Sequence, residues 1–411
     1  MLKFQKGIVN MQAGFIPISI FLIFGAAVLA FGMIYFFSQK NDQTINSQNP
    51  VTISSAPFQA SQAILTNKSD STKEENQSTN TNQTNLAPAS GAVYVMKVLV
   101  IKYFPTTLFG NNIDTGITGD VEGSYDSVRA HTVEVTNNLK NSLEKASMYL
   151  GYKTSSSPSL GYQIIDVKEY KKAVPFDSSN RRPLYNQILT DNNICDYVKN
   201  QGVSEVWMWA YQGPAHPDGK GAYLSISESK MSGPYGDISN SGREDDMPKC
   251  GKTYRLYVFN YGRGTAEAME SWGHQTEVEL DAVDKVFFRN EFQGPNYPQS
   301  LGVNGRCGSV HNPPNARNEY DRANPTPQKS DCLDWNPDSL GTLSDISCNN
   351  WTCQQDSDAS NPALNYMIWM WQNLPGKGNT KTYQGRNLRN LWDIHGDFDG
   401  VKGSNRTIFA N

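Results

Sequence analysis

The sequence predicts an α/β fold: a largely parallel sheet with flanking helices, a loop-rich, disulfide-pinned C-terminal part, and an N-terminal transmembrane helix ahead of both. Near-continuous apolar, β-branched runs mark strands buried on both faces. Stretches of helical apolar spacing alternate with them, the order expected of strand–helix–strand units. An uncharged apolar stretch near the start is long enough to cross a bilayer.

Residues 1–13 carry Lys3 and Lys6. Residues 14–37, from Gly14 to Phe37, hold no charge and are dominated by Ile, Leu, Phe, Ala and Val. As a helix of about 24 residues they reach roughly 36 Å, too long for the apolar region of a cleavable signal peptide. Only Lys40 follows closely, so the positive-inside rule places the N-terminus in the cytoplasm and the rest of the chain outside. The expectation is a single-pass cell-membrane protein held in the lipid bilayer by this segment. Residues 38–92 are rich in Ser, Thr, Asn and Gln, as in the run from Ser78 to Asn85. They hold too little apolar surface to offset ordering entropy and read as a disordered polar tether.

Residues 93–411 form the extracytoplasmic globular domain. Val93 to Tyr103 reads as a buried strand stopped by Pro105. Ser127 to Leu150 reads as a helix closed by Gly151, and Tyr162 to Tyr170 as a second strand. Leu184 to Val198 reads as a helix ended by Gly202. Ser204 to Tyr211 and Lys252 to Tyr261 are further strands, and Gly264 to about Arg289 a long helix. Trp207, Trp209, Trp369 and Trp371 sit in runs that read as core. From about residue 293 the chain turns rich in Asn, Pro, Gly and Asp, with one convincing helix near Pro362 to Leu374. In such sheets chemistry collects in loops at the C-terminal strand ends, here the loop after Tyr103, Gln212 to Met231, and Asn260 to Gly264.

The six cysteines, Cys195, Cys250, Cys307, Cys332, Cys348 and Cys353, all follow the tether. An even number confined to the exported part reads as disulfides in an oxidising compartment. Spacing does not choose the pairing; neighbours in chain order (Cys195–Cys250, Cys307–Cys332, Cys348–Cys353) are the expectation. The net charge of −4 gives no basic field, and no nucleic-acid motif occurs. Gly-x-Ser-x-Gly, His-Glu-x-x-His and dinucleotide fingerprints are also missing. Asp356-x-Asp358 and Asp397-x-Asp399 lack the glycine and glutamate of a calcium loop.

The long helix carries the most chemistry. At about 100° per residue, Glu267, Glu270, His274, Glu277 and Asp281 fall within roughly 80° of one another. Met269, Trp272, Leu280, Val283 and Phe287 form the apolar face. Acids at this spacing repel one another, and no base precedes Lys285. Divalent metals take ligands at i, i+3 and i+4 of a helix. Gly273, costly in mid-helix, points to close approach by another group. His274 and Glu277 are thus the expected metal ligands together with His311 from the rigid loop Val310-His311-Asn312-Pro313-Pro314-Asn315. Glu270 and Glu228 are the candidate catalytic carboxylates, as ligand or general base. Arg263, in a Gly-rich turn at the helix start, and Asp334 are candidates for holding an anion or substrate.

From Val93 onward the chain resembles a functionally uncharacterised family of exported, mainly bacterial proteins. The marks are Glu228-Ser229-x-Met231; Asn260-Tyr261-x-Arg263-Gly264 with Glu270, Gly273-His274 and Glu277; Val310-His311-x-Pro313-Pro314-Asn315; and Asp334-Trp335. The resemblance implies shared architecture and a common site, and names no substrate. The expected function is a membrane-anchored hydrolase, dependent on a divalent metal with zinc first among them, acting on an extracellular peptide or polysaccharide. The alternative is a non-catalytic surface module that binds glycans or another cell's envelope, with this helix face solvated.

Overall fold

Tyr94–Tyr103, the apolar run after the tether, is strand β1, and every residue from Val98 to Phe104 is sealed from solvent. The computed structural model describes residues 87–119, 121–177, 182–213, 228–241, 245–294, 306–358 and 361–410. The expected anchor at 14–37 lies outside the described residues, as does nearly all of the tether; among the described residues no helix is long and apolar enough to cross a membrane.

The main elements that follow are α1 (Tyr125–Ala146), β2 (Leu160–Tyr170), α2 (Tyr185–Asp191), β3 (Val203–Ala210), β4 (Ser229–Ser232), β5 (Tyr254–Asn260), α3 (Thr265–Val286), α4 (Pro362–Gln372) and α5 (Trp392–Gly396). One five-stranded sheet runs in the order β2-β1-β3-β5-β4. β1 pairs in parallel with β2 and with β3, and β3 in parallel with β5. Only β4 is antiparallel, setting Ser229 opposite Tyr257. It lies in the stretch read as a loop, where Ser-Lys-Met-Ser is too short and too polar to show a strand pattern. The mixed α/β class with a mostly parallel sheet holds.

The helix expected over Leu184 to Val198 is broken. Asn193 adopts a left-handed conformation (φ 55°) between α2 and a short turn that widens into a π-helix, Tyr197–Gln201. Disulfides join Cys195 to Cys250, Cys307 to Cys332 and Cys348 to Cys353, the expected pairing. Two of them pin the loop-rich C-terminal part.

Helix α3 owes its start to a carboxylate far along the chain. Asp358 accepts a hydrogen bond from the Thr265 backbone N–H at 2.8 Å and another from its hydroxyl. A Cβ on Gly264 would collide with that carboxylate and displace it from the Thr265 N–H. The negative charge expected at this helix N-terminus is therefore the chain's own, and its dipole is already answered.

The inner face of α3 packs on the sheet and on the C-terminal helices. Trp272 lies 5.8 Å from Trp392 and 6.1 Å from Trp371, ring centre to ring centre, joining α3, α4 and α5 in one aromatic cluster. Trp207, Trp209 and Trp371 are fully buried, as their sequence runs suggest. Beneath lies a polar core. Glu279 of α3 receives Arg255 of β5 through both carboxylate oxygens, with Arg255 Nη2 to Oε2 at 2.8 Å. His395 of α5 stands between Glu205 and Glu279, 3.0 Å from each. Trp207 donates to the other Glu205 oxygen at 2.8 Å. All these groups are sealed from water. α3 is thus fixed in rotation, which settles where its outer face points.

Candidate functional site

On that outer face Glu270 and His274 stand one turn apart, and the chain that meets them is the loop after Cys307. Ser309 and Asn312 exchange backbone hydrogen bonds (2.9 and 3.1 Å), leaving Val310 and His311 at the tip of a tight turn. The Tyr366 hydroxyl of α4 sits inside the turn, 2.8 Å from the Ser309 carbonyl and 2.9 Å from that of Asn312. Gly308 has φ 78°, and a Cβ there would run into Asn312 and Tyr366. The Cys307–Cys332 disulfide anchors the turn at its base.

Gly273 is what lets the two surfaces meet. A Cβ on it would come within 2.9 Å of a Val310 methyl, which is the close approach expected from a mid-helix glycine. Gly273→Leu is therefore expected to push the Val310–His311 turn off the helix. Overpacking of this kind costs about 1–3 kcal/mol. Thermal unfolding should show that loss.

Docked in this way, His311 Nε2 lies 2.8 Å from His274 Nε2, with the rings nearly perpendicular. Glu270 Oε1 is 3.4 Å from His311 Nε2 and 3.8 Å from His274 Nε2. Glu270, His274 and His311 thus offer donor atoms all within 4.8 Å of one another, the spacing of a metal site. Ligand atoms about 2.0–2.1 Å from a tetrahedral ion stand about 3.3 Å apart, so the observed separations bracket the requirement.

The expected ligand set was His274, Glu277 and His311, and here the structure groups differently. Glu277 Oε2 faces His274 Nδ1 at 3.3 Å, behind the ring and away from the converging atoms. Its other oxygen accepts from Gln293 Nε2 (2.7 Å) and from the Val310 N–H (3.1 Å). Gln293 reaches it because α3 kinks at Asp284 and continues as a π-helix, Phe287–Gln293. With Glu277 on Nδ1, the Nε2 edge of the ring is the one turned toward His311 and Glu270, an arrangement like the carboxylate–histidine pairing found behind metal ligands. Residues at i+3 and i−4 both neighbour His274 on the helix surface, and the spacing could not say which side of the ring each would take.

Two residues were missed altogether. Arg322 Nη2 donates to Glu270 Oε2 (2.8 Å) and to the Val310 carbonyl (2.7 Å), bracing both halves of the site. It is the base that the acid-rich helix face lacked, and that imbalance was the available signal. Tyr320 places its hydroxyl 3.3 Å from His311 Nε2.

The acidic face is covered by this segment, not solvated. Burial alone would lower the His274 pKa, but hydrogen bonds and charge from Glu270 and Glu277 outweigh it and raise it to about 9. Glu270 is held far below the usual carboxylate range; burial opposes this, and His274, His311 and Arg322 prevail.

The remaining candidates lie elsewhere. Glu228 is buried and takes a hydrogen bond from Tyr185 of α2, and burial chiefly raises its pKa. Its backbone carbonyl accepts a hydrogen bond from the Ser271 hydroxyl of α3. It does not face His274, because the chain entering β4 turns that side chain toward α2. Arg263 is exposed and reaches Gln212 at 3.5 Å. Asp334 is a surface residue that accepts from the Thr342 N–H. Neither contacts the histidine pair. Asp356-x-Asp358 and Asp397-x-Asp399 serve caps and tethers: Asp358 at α3, Asp397 at the helix it precedes, Asp399 on Thr253.

No match was found between this chain and any protein-family model, curated protein or solved structure.

Proposed function

We propose that Glu270, His274 and His311 hold a divalent metal ion, zinc first among the candidates, and that the protein is a membrane-anchored, extracytoplasmic hydrolase of an extracellular peptide or polysaccharide. The observation that carries the reading is the pair of imidazole Nε2 atoms 2.8 Å apart with a carboxylate beside them. Two histidines and one carboxylate form a set used by catalytic zinc, which adds Lewis acidity and a bound water that ionises near neutral pH.

The chain's own residues then have distinct duties. Glu277 fixes the His274 tautomer, and Arg322 fixes the Glu270 carboxylate. Glu267, one turn nearer the helix start, is the next carboxyl on this face. Burial, its largest influence, raises its pKa above the usual carboxylate range, which suits a group that gives and takes a proton. An anchor at residues 14–37 and a polar tether, as expected from sequence, would keep this chemistry near a membrane surface, since a flexible coil of roughly 50 residues reaches on the order of 40 Å.

Metal analysis of the intact chain tests the reading. One equivalent of zinc per chain is expected, with a melting temperature that falls on chelation and returns with zinc. At a hundred times the dissociation constant the added stability is about 2.7 kcal/mol. A chain that retains no transition metal, and whose melting is unmoved by zinc, removes the basis of the proposal. Metal retained without turnover, together with tight glycan binding, favours the surface-binding module instead.

A further inference from the structure

Catalytic zinc sites supply three protein ligands and leave one position for water or substrate; closed sites supply four. Glu270, His274 and His311 account for three. The Tyr320 hydroxyl stands 3.3 Å from His311 Nε2, the separation expected between neighbouring vertices of a tetrahedral ion, and it also faces the Glu270 carboxylate. Its backbone is held in an unfavourable conformation to put it there. Tyr320 has φ 64°, in the left-handed region that a bulky side chain seldom adopts, and such residues collect at functional sites. A tight turn follows, with the Arg322 N–H on the Tyr320 carbonyl at 2.8 Å. The Arg322 guanidinium, itself fixed to Glu270, lies 4.9 Å from the Tyr320 ring centre. Asp321, between them, is tied to Arg317. The three other donors lie where α3 meets the Val310–His311 turn, whereas Tyr320 remains about half exposed (51 %).

We infer that Tyr320 is the fourth protein donor of this centre, a displaceable one that occupies the position substrate must take. The inference rests on the proposed metal site and adds how that site is guarded. On ligation the phenol O–H bond breaks, the oxygen bonds to the ion and the proton passes to solvent. When a substrate carbonyl or water takes the position, the phenolate leaves, regains a proton and stands beside the ion as a hydrogen-bond donor. No oxidant or further reactant is needed. Of the two uses of tyrosine here, donor or mere lid, the 3.3 Å contact and the constrained backbone favour the donor.

The test is titration of the metal-stripped intact chain with zinc, followed by ultraviolet difference absorption and by bound-metal analysis. The parent chain should develop a tyrosinate difference band that saturates at one equivalent of zinc. Tyr320→Phe should lose the band while still binding zinc. If zinc binds to the parent at one equivalent without the band, or the band persists in Tyr320→Phe, the assignment of Tyr320 is overturned and the three-residue site stands. If zinc binds to neither chain, both proposals fall. Should Tyr320→Phe bind no zinc at all, the band in the parent decides the matter alone.

Discussion

Glu279→Gln is expected to lower the unfolding free energy by about 3–5 kcal/mol at neutral pH, the range for removing one member of a buried ion pair. The change preserves shape, so packing is not the issue. It strips the countercharge from Arg255, whose Nη2 lies 2.8 Å from Glu279 Oε2, and alters the contact with His395 on the other side. No water reaches any of the three. The effect should depend on pH in a definite direction. Burial by itself would raise the Glu279 pKa, but the Arg255 charge and then His395 bring it down to about 2. A carboxylate whose pKa falls on folding stabilises the native state fully above its unfolded value of about 4.3, and that contribution is lost as pH drops towards the folded value. Denaturant unfolding of parent and variant should therefore differ most above about pH 5 and converge as the pH approaches 2. A constant difference down to pH 3 would mean that the charge of Glu279 matters little and that the loss comes from exchanging an acceptor oxygen for an amide NH2 facing Arg255.

The second large effect concerns the proposed metal. His274→Ala is expected to abolish stoichiometric zinc binding, since it removes one of the two converging Nε2 atoms. Glu277→Gln is expected to weaken binding by about 10- to 100-fold, the range for partners that orient a ligand. Equilibrium dialysis with metal analysis separates the two. If Glu277→Gln proves as severe as His274→Ala, Glu277 is itself a ligand, and the arrangement around His274 Nδ1 is remodelled when the ion enters.

Much of this architecture was legible in the sequence, and the parts that were not share a cause. The strands at Val93 and Ser204 announce themselves because both faces are buried and the run is unbroken. The strand at Ser229 does not, because its four residues are sealed by neighbours rather than by their own hydrophobicity. On α3 the polar sector was legible, and so was the need for a visitor at Gly273. The visitor's identity was half legible: His311 was singled out for its rigid loop, while Tyr320 and Arg322 carry no periodic or spacing signal. Glu279 was passed over for a different reason. It follows Trp272 by seven residues and so lies on the apolar side of the helix, where a charge needs a buried partner. Arg255 and Glu205, set within apolar strands, were the matching signs. The side of an imidazole that a neighbouring carboxylate takes is a question of rotamers, which one-dimensional spacing does not hold.

The Cys307–Cys332 bond closes a loop that carries His311, Tyr320 and Arg322, with Cys307 four residues before His311. Helix α3 supplies only Glu270 and His274, and neither half has enough donors alone. A nascent or reduced chain would therefore offer metals a loose pair of ligands, while the oxidised chain offers a preformed cradle. If the proposed centre holds an ion, its loading would follow oxidative folding, because the bond between Cys307 and Cys332 closes the loop that brings His311 to the helix.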